Sequence, residues 1–210
     1  MFDFDNTLIE SLPLCFKCFQ LVFEQYCGIQ MDESDIEKLF GGSEEDIIRK
    51  VVGEDKASEA VELFYNNYSD LHDSLVIQDR LFNEIKELLL FLEKNSKSLS
   101  IFTGKGKRSL EISLRKLGLD NTFQYLVSDD DVENSKPHKE GLLKILNHFG
   151  VEASEAIFFG DSDLDILSAN QAYIDSIGVN WFRHRNFRIK PKFISNQPRD
   201  IMTKFWIKEE

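Results

Sequence analysis

The chain opens with Asp3-Phe4-Asp5-Asn6-Thr7, two carboxylates two residues apart. In extended backbone such residues project to the same side, so Asp3 and Asp5 face one another's surroundings. Carboxylates that close repel and are stable only with a shared proton or a cation, and a hard, oxygen-seeking ion such as magnesium is the natural partner. Taken alone, the same pair is equally an acidic turn. A second acidic set, Gly160-Asp161-Ser162-Asp163-Leu164-Asp165, follows the most hydrophobic run of the chain. Asp161 at a strand end and Asp165 in the first turn of the next helix are spaced to converge on one ion. The alternative is an acidic cap complementing the helix dipole, a role that suits Asp163 best.

Two further groups carry hydroxyl or positive charge. Thr103-Gly104-Lys105 closes an apolar run, which puts the Thr103 hydroxyl and the amides beyond it at a strand's carboxyl end. Lys136-Pro137 precedes a helical pattern beginning at His138, where Pro137 suits the first helical position. Loop amides and helix N-termini are ready anion sites.

The elements that must position these groups alternate along the chain from about Ile85. Apolar spacing predicts helices over 84–92, 107–117, 140–149 and 164–172, and strands over 99–103, 125–127, 156–159 and 176–179. This alternation predicts an α/β fold, a parallel sheet with helices on both faces. Residues 12–75 break the rhythm, with helical patterns over 12–26, 32–40, 43–52 and 56–71 and no convincing strand. They are read as an inserted helical cap spanning 12–78, with 1–11 and 79–210 forming the core. All four chemical groups then fall at carboxyl ends of strands, the edge where open parallel sheets bind ligands. A nucleophilic carboxylate, a metal site, a hydroxyl and a lysine in one crevice are the equipment of phosphoryl transfer.

These motifs in this order resemble the haloacid dehalogenase-like hydrolases, specifically the phosphoglycolate-phosphatase-like branch with a helical cap. D-x-D-x-T is matched by Asp3, Asp5 and Thr7; the hydroxyl motif by Thr103; the lysine motif by Lys136; and G-D-S-x-x-D by Gly160, Asp161, Ser162 and Asp165. The resemblance implies a Rossmann-like core and a magnesium-dependent phosphatase acting through an aspartyl-phosphate. It makes Asp3 the nucleophile and a metal ligand. Asp5 becomes the general acid and base, its backbone carbonyl touching the metal. Thr103, Gly104 and Lys136 hold the phosphoryl group, and Asp161 and Asp165 belong to the metal site. It also implies a small phosphorylated metabolite as substrate, phosphoglycolate first. Inorganic pyrophosphatase, nucleotidase, β-phosphoglucomutase-type phosphotransferase or a non-catalytic phosphate-ligand-binding protein are the alternatives on the same fold. Dehalogenases of the superfamily lack the second aspartate, so Asp5 favours a phosphatase. Phosphonate hydrolysis would need a desolvated cap lysine, and nothing marks Lys17, Lys38, Lys50 or Lys56 as one.

In the cap, Gly41-Gly42-Ser43 is either a specificity loop, with Arg49 as an anion contact, or a simple turn. Only Met1 and Phe2 precede Asp3, fewer than the roughly five or six residues of an average strand. Either the first strand is very short or the sequence starts inside it.

Composition bounds the rest. A net charge of −12 opposes partners such as nucleic acid and anionic membrane. It leaves room for a small anion wherever cations cluster within a Debye length of roughly 8 Å. No apolar run is long enough to span a bilayer, and Cys15, Cys18 and Cys27 read as reduced, packed thiols, so a cytoplasmic monomer or homodimer is expected. The basic stretch Arg183 to Lys192 reads as a solvated surface segment, with substrate steering as the alternative.

Overall fold

The computed structural model describes residues 1–204. Helices α1 (Leu12–Cys27), α2 (Glu33–Glu37), α3 (Glu44–Val52) and α4 (Glu54–Leu75) form the cap. The core runs α5 (Arg80–Lys94), β1 (Ser100–Phe102), α6 (Lys107–Leu117), β2 (Tyr125–Val127), α7 (Glu140–Phe149), β3 (Ile157–Gly160), α8 (Asp163–Gln171), β4 (Asp175–Val179), β5 (Phe193–Ser195) and α9 (Arg199–Lys204). All strand pairs, β1 with β2, β3 with β4 and β4 with β5, are parallel. Phe2 bridges Ile101 on one side and Phe159 on the other and so joins the two halves of the sheet. This is an α/β fold with an inserted helical cap.

Strands β1 and β3 at the centre of the sheet are buried on both faces, which is why they read as continuous apolar runs. Phe2 stacks on Phe159 with ring centroids 4.6 Å apart, so the short N-terminal segment is held by side-chain packing as well as by its backbone. In the cap, α1 packs on α4 through Phe19 and Phe64, whose centroids are 4.7 Å apart. The cap meets the core where the Tyr68 hydroxyl and His72 Nε2 both reach Ser113 Oγ of α6, at 2.9 and 3.2 Å.

Helix ends follow local chemistry. Gly118 and Gly150 end α6 and α7 in the left-handed conformation, with φ of 67° and 64°, which a glycine adopts without steric cost. Ser43 and Asp46 form a capping box at α3, and Ser162 and Asp165 another at α8.

Several expectations need adjustment. Helix α2 stops at Glu37 rather than at residue 40, because the chain turns ahead of Gly41-Gly42. Pro137 lies before α7, which begins at Glu140 with Lys139 as its cap. Strand β5 and helix α9 were not foreseen: β5 has three residues and directly follows the basic stretch. Among the described residues no helix is long and apolar enough to cross a membrane.

Candidate active site

Asp3 is placed by backbone bonds on both sides. Phe2 N–H donates to Ser100 O and Asp3 N–H donates to Phe159 O, each at 2.8 Å. The chain then turns at Asn6, whose φ of 58° lies in the left-handed region that asparagine tolerates better than most residues. That turn brings the Thr7 hydroxyl to 3.3 Å from Asp3 Oδ2, which accepts its proton.

Three strand ends deliver partners to Asp3. Lys136 Nζ stands 2.7 Å from Asp3 Oδ1 and 2.6 Å from Asp165 Oδ1. The other oxygen of Asp165 accepts the Ser162 hydroxyl at 2.6 Å and the Ser162 N–H at 3.0 Å, so one residue caps α8 and orients the lysine. Gly160 makes this possible, since a Cβ there would meet Asp165 Cβ at 2.3 Å. Thr103, 1% exposed, follows β1, and its Oγ1 accepts the Lys105 N–H at 3.2 Å, leaving its own proton to donate. Asp129 and Ser135 lie on the same cavity wall, and the cavity as a whole measures about 420 Å³.

One oxygen from each of Asp3, Asp161 and Asp165 lies within 4.8 Å of the others, and all three side chains are buried. Lys136 answers only part of that charge. Burial, opposed by Lys136 and aided by Asp165 and Asp161, pushes the Asp3 carboxyl well above the usual carboxylate range. Burial and the charge of Asp165 likewise push Asp161 to about 7, although Arg185 and Lys136 pull it down. Burial alone would depress Lys136, but Asp165 and Asp3 outweigh it and hold the ammonium charged. Among the described residues Asp161 Oδ2 accepts no hydrogen bond, and Arg185 Nε faces it at 3.5 Å. A buried, under-neutralised, all-oxygen donor set with an orphaned carboxylate oxygen fits a small divalent cation.

Asp5 stands apart from this cluster. Its Oδ1 accepts a hydrogen bond from the Ser11 hydroxyl and faces Lys105 Nζ at 3.5 Å. The carboxylates predicted to share a metal therefore divide, with Asp3, Asp161 and Asp165 converging and the Asp5 side chain turned toward Ser11 and Lys105.

Gly42 and Gly104 line the cavity, whereas Ser43 is occupied in capping α3. Arg49 lies outside the cavity lining and pairs with Glu54 at 3.0 Å. Asp163, read as a solvent-facing cap, accepts the N–H groups of Arg188 and Ile189. The basic stretch is thereby held along the rim, and Arg185 enters the site. Cys15 lines the cavity and Cys18 packs beside it; burial raises both thiols, Cys18 to about 12, so neither is a ready nucleophile.

Sequence reasoning gave no site role to Lys105 or Glu44 and favoured a solvated role for Arg185. Lys105 closes a motif read for its hydroxyl and amides, Glu44 hides among the acids of Glu44-Glu45-Asp46 that ordinarily complement a helix dipole, and Arg185 sits in a basic run for which substrate steering was only the alternative.

A profile of the family described as haloacid dehalogenase-like hydrolase matches residues 1–179. The chain belongs to this family. It is 30% identical over 205 residues to pyrophosphatase PpaX of Bacillus cereus, covering 96% of this chain and 93% of that one. A crystal structure described as a predicted phosphoglycolate phosphatase from Haemophilus somnus superposes with a TM-score of 0.81 at 23% identity, covering 96% and 94% of the two chains. β-Phosphoglucomutase from Clostridium difficile gives a TM-score of 0.77 at 19% identity, covering 97% and 92%. These structural likenesses show a haloacid dehalogenase-like fold shared by hydrolases and phosphotransferases. The chain is an enzyme of this hydrolase family, acting on phosphate esters.

Proposed function

We propose that this enzyme is a magnesium-dependent phosphatase of small phosphate monoesters that works through an aspartyl-phosphate on Asp3. The observation that carries the reading is the position of Asp3, bonded to Lys136 at 2.7 Å and clustered with Asp161 and Asp165, with Asp5 beside it but outside the cluster. On this reading 1–11 and 79–210 are the catalytic core, and 12–78 are the cap that covers the leaving group.

In the first step an Asp3 oxygen attacks phosphorus and the ester P–O bond breaks, while Asp5 gives its proton to the departing oxygen. In the second step water attacks the same phosphorus, Asp5 takes its proton, and the bond to Asp3 breaks to release inorganic phosphate. Thr103, the Gly104 amide and Lys136 hold the phosphoryl oxygens through both steps. Asp3, Asp161 and Asp165, with the Asp5 backbone carbonyl, would hold magnesium, which supplies positive charge opposite the phosphoryl group. Reduced, buried thiols suit a cytoplasmic setting.

Likeness to PpaX raises pyrophosphate as a second substrate for the same machinery, and the phosphatase-like branch raises phosphoglycolate. Phosphate release from phosphoglycolate, neutral small monoesters and pyrophosphate, with and without magnesium, tests the reading. Magnesium-dependent release that Asp3→Asn abolishes is expected. A folded wild type that releases phosphate from none of them, or an active Asp3→Asn variant, would overturn it.

A further inference from the structure

Among the described residues, every cation that lines the cavity is paired with a carboxylate. Lys105, 4% exposed, lies between Asp5 Oδ1 at 3.5 Å and Glu44 Oε1 at 3.4 Å, with its ammonium 4.8 Å from the Tyr68 ring centroid. Glu44 opens α3 of the cap and is itself 5% exposed. It also accepts the Gly106 N–H at 2.7 Å and the Ser109 hydroxyl proton, both from the core. This contact is built in by residue choice, because a Cβ on Gly106 would lie 2.2 Å from Glu44 Oε2.

The other cations that line the cavity are also engaged. Lys136 is bonded to Asp3 and Asp165, and Arg185 lies against Asp161, on the side of the acidic cluster. Seven carboxylates line the cavity against these three cations, and a divalent metal would leave the lining still negative. The cap adds Glu37 and the apolar Leu12, Phe19 and Ile47, while its own Lys38 and Arg49 pair with acids outside the cavity. A carboxylate or second phosphate on the leaving group would therefore be desolvated among acids, with no unpaired cation among the described residues to receive it.

From this, and resting on the phosphatase reading, we infer that the enzyme selects monoesters whose leaving group carries no negative charge, and that Glu44 enforces the choice by occupying Lys105. Phosphoglycolate and pyrophosphate are then poor substrates. A leaving group of neutral hydroxyls, or one bearing an amine, meets the lining without an unpaired anion.

Three substrates of nearly equal size isolate the charge: 2-hydroxyethyl phosphate, 2-aminoethyl phosphate and phosphoglycolate, with pyrophosphate as a fourth. Wild type should show kcat/KM at least about tenfold higher for the better of the first two than for phosphoglycolate or pyrophosphate. Glu44→Gln keeps a carbonyl acceptor for the Gly106 N–H, lets the Ser109 hydroxyl accept from the new amide, and leaves Lys105 with Asp5 as its remaining anionic partner. It should therefore move the ratio toward phosphoglycolate by about tenfold. Melting curves confirm that the variant is folded. Wild type that turns over phosphoglycolate or pyrophosphate as fast as 2-hydroxyethyl phosphate would overturn the charge selection. An unchanged ratio in folded Glu44→Gln would overturn the role of Glu44. If the small esters are all inert, glucose 6-phosphate against 6-phosphogluconate makes the same comparison with a longer leaving group. No release from any of them would instead remove the phosphatase reading itself.

Discussion

At the scale of single residues the site is an electrostatic imbalance awaiting a cation. Asp3 and Asp165 share Lys136 while Asp161 faces Arg185, and burial together with mutual repulsion holds Asp3 and Asp161 above their ordinary range. A carboxyl whose pKa is raised on folding holds its proton longer in the native state, so stability falls as the pH rises from the unfolded value of about 4 to the raised one and levels off above it. Metal-free protein should therefore melt at a lower temperature at pH 8 than at pH 6, the loss being complete just above the Asp161 value of about 7. Magnesium should remove most of that loss, because binding to the native state alone stabilises it, by about 2.7 kcal/mol at a hundredfold excess over Kd. Melting curves at the two pH values with and without magnesium check this, and a pH-independent, magnesium-independent midpoint would contradict it. Lys136→Met leaves the buried acids without their ammonium and should cost about 3 kcal/mol in metal-free protein. It should also reduce phosphate release by at least about a hundredfold.

Elements determine how closely these residues approach. Gly160 ends β3 under Asp165, and a methyl group there cannot be accommodated without moving the carboxylate. Gly160→Ala should cost about 1–3 kcal/mol in stability and weaken magnesium-dependent activity together, read by denaturant titration and steady-state rates. Most of this geometry was legible in the sequence, because strand ends, capping residues and the 3.6- and 2-residue periods are local signals. Asp161 and Asp165 stand after β3 and in the first turn of α8, where those signals placed them, whereas Lys136 precedes α7 by several residues instead of opening it. The charge partnerships of Lys105, Glu44 and Arg185 were not legible, since each depends on a contact between elements far apart in the chain. Strand β5 escaped for a related reason: three residues give too short an alternation to register, and pairing with β4 makes it a strand.

On the scale of the whole molecule, contacts of different kinds join the cap to the core. Glu44 reaches into the site, while Tyr68 and His72 of α4 meet Ser113 of α6 in a buried polar contact. Removing the Ser113 hydroxyl leaves the buried Tyr68 and His72 groups unsatisfied, so Ser113→Ala should cost about 1–3 kcal/mol. Chemical denaturation reads this directly. A change under about 0.5 kcal/mol would mean that water or rearrangement satisfies those groups. The helical character of residues 12–75 was readable from the sequence, but the way the cap seats on the core was not, because it rests on side-chain pairs such as Arg108 with Glu62 and Lys116 with Asp73 that span more than forty positions.

The most direct test of the account is to ask where the phosphoryl group goes. A single turnover of wild type with magnesium and its best monoester, quenched in acid within the turnover time, should yield the N-terminal peptide carrying one phosphoryl group on Asp3, and none in Asp3→Asn. Turnover that proceeds with no phosphorylated Asp3 at any quench time, or undiminished in Asp3→Asn, would contradict it.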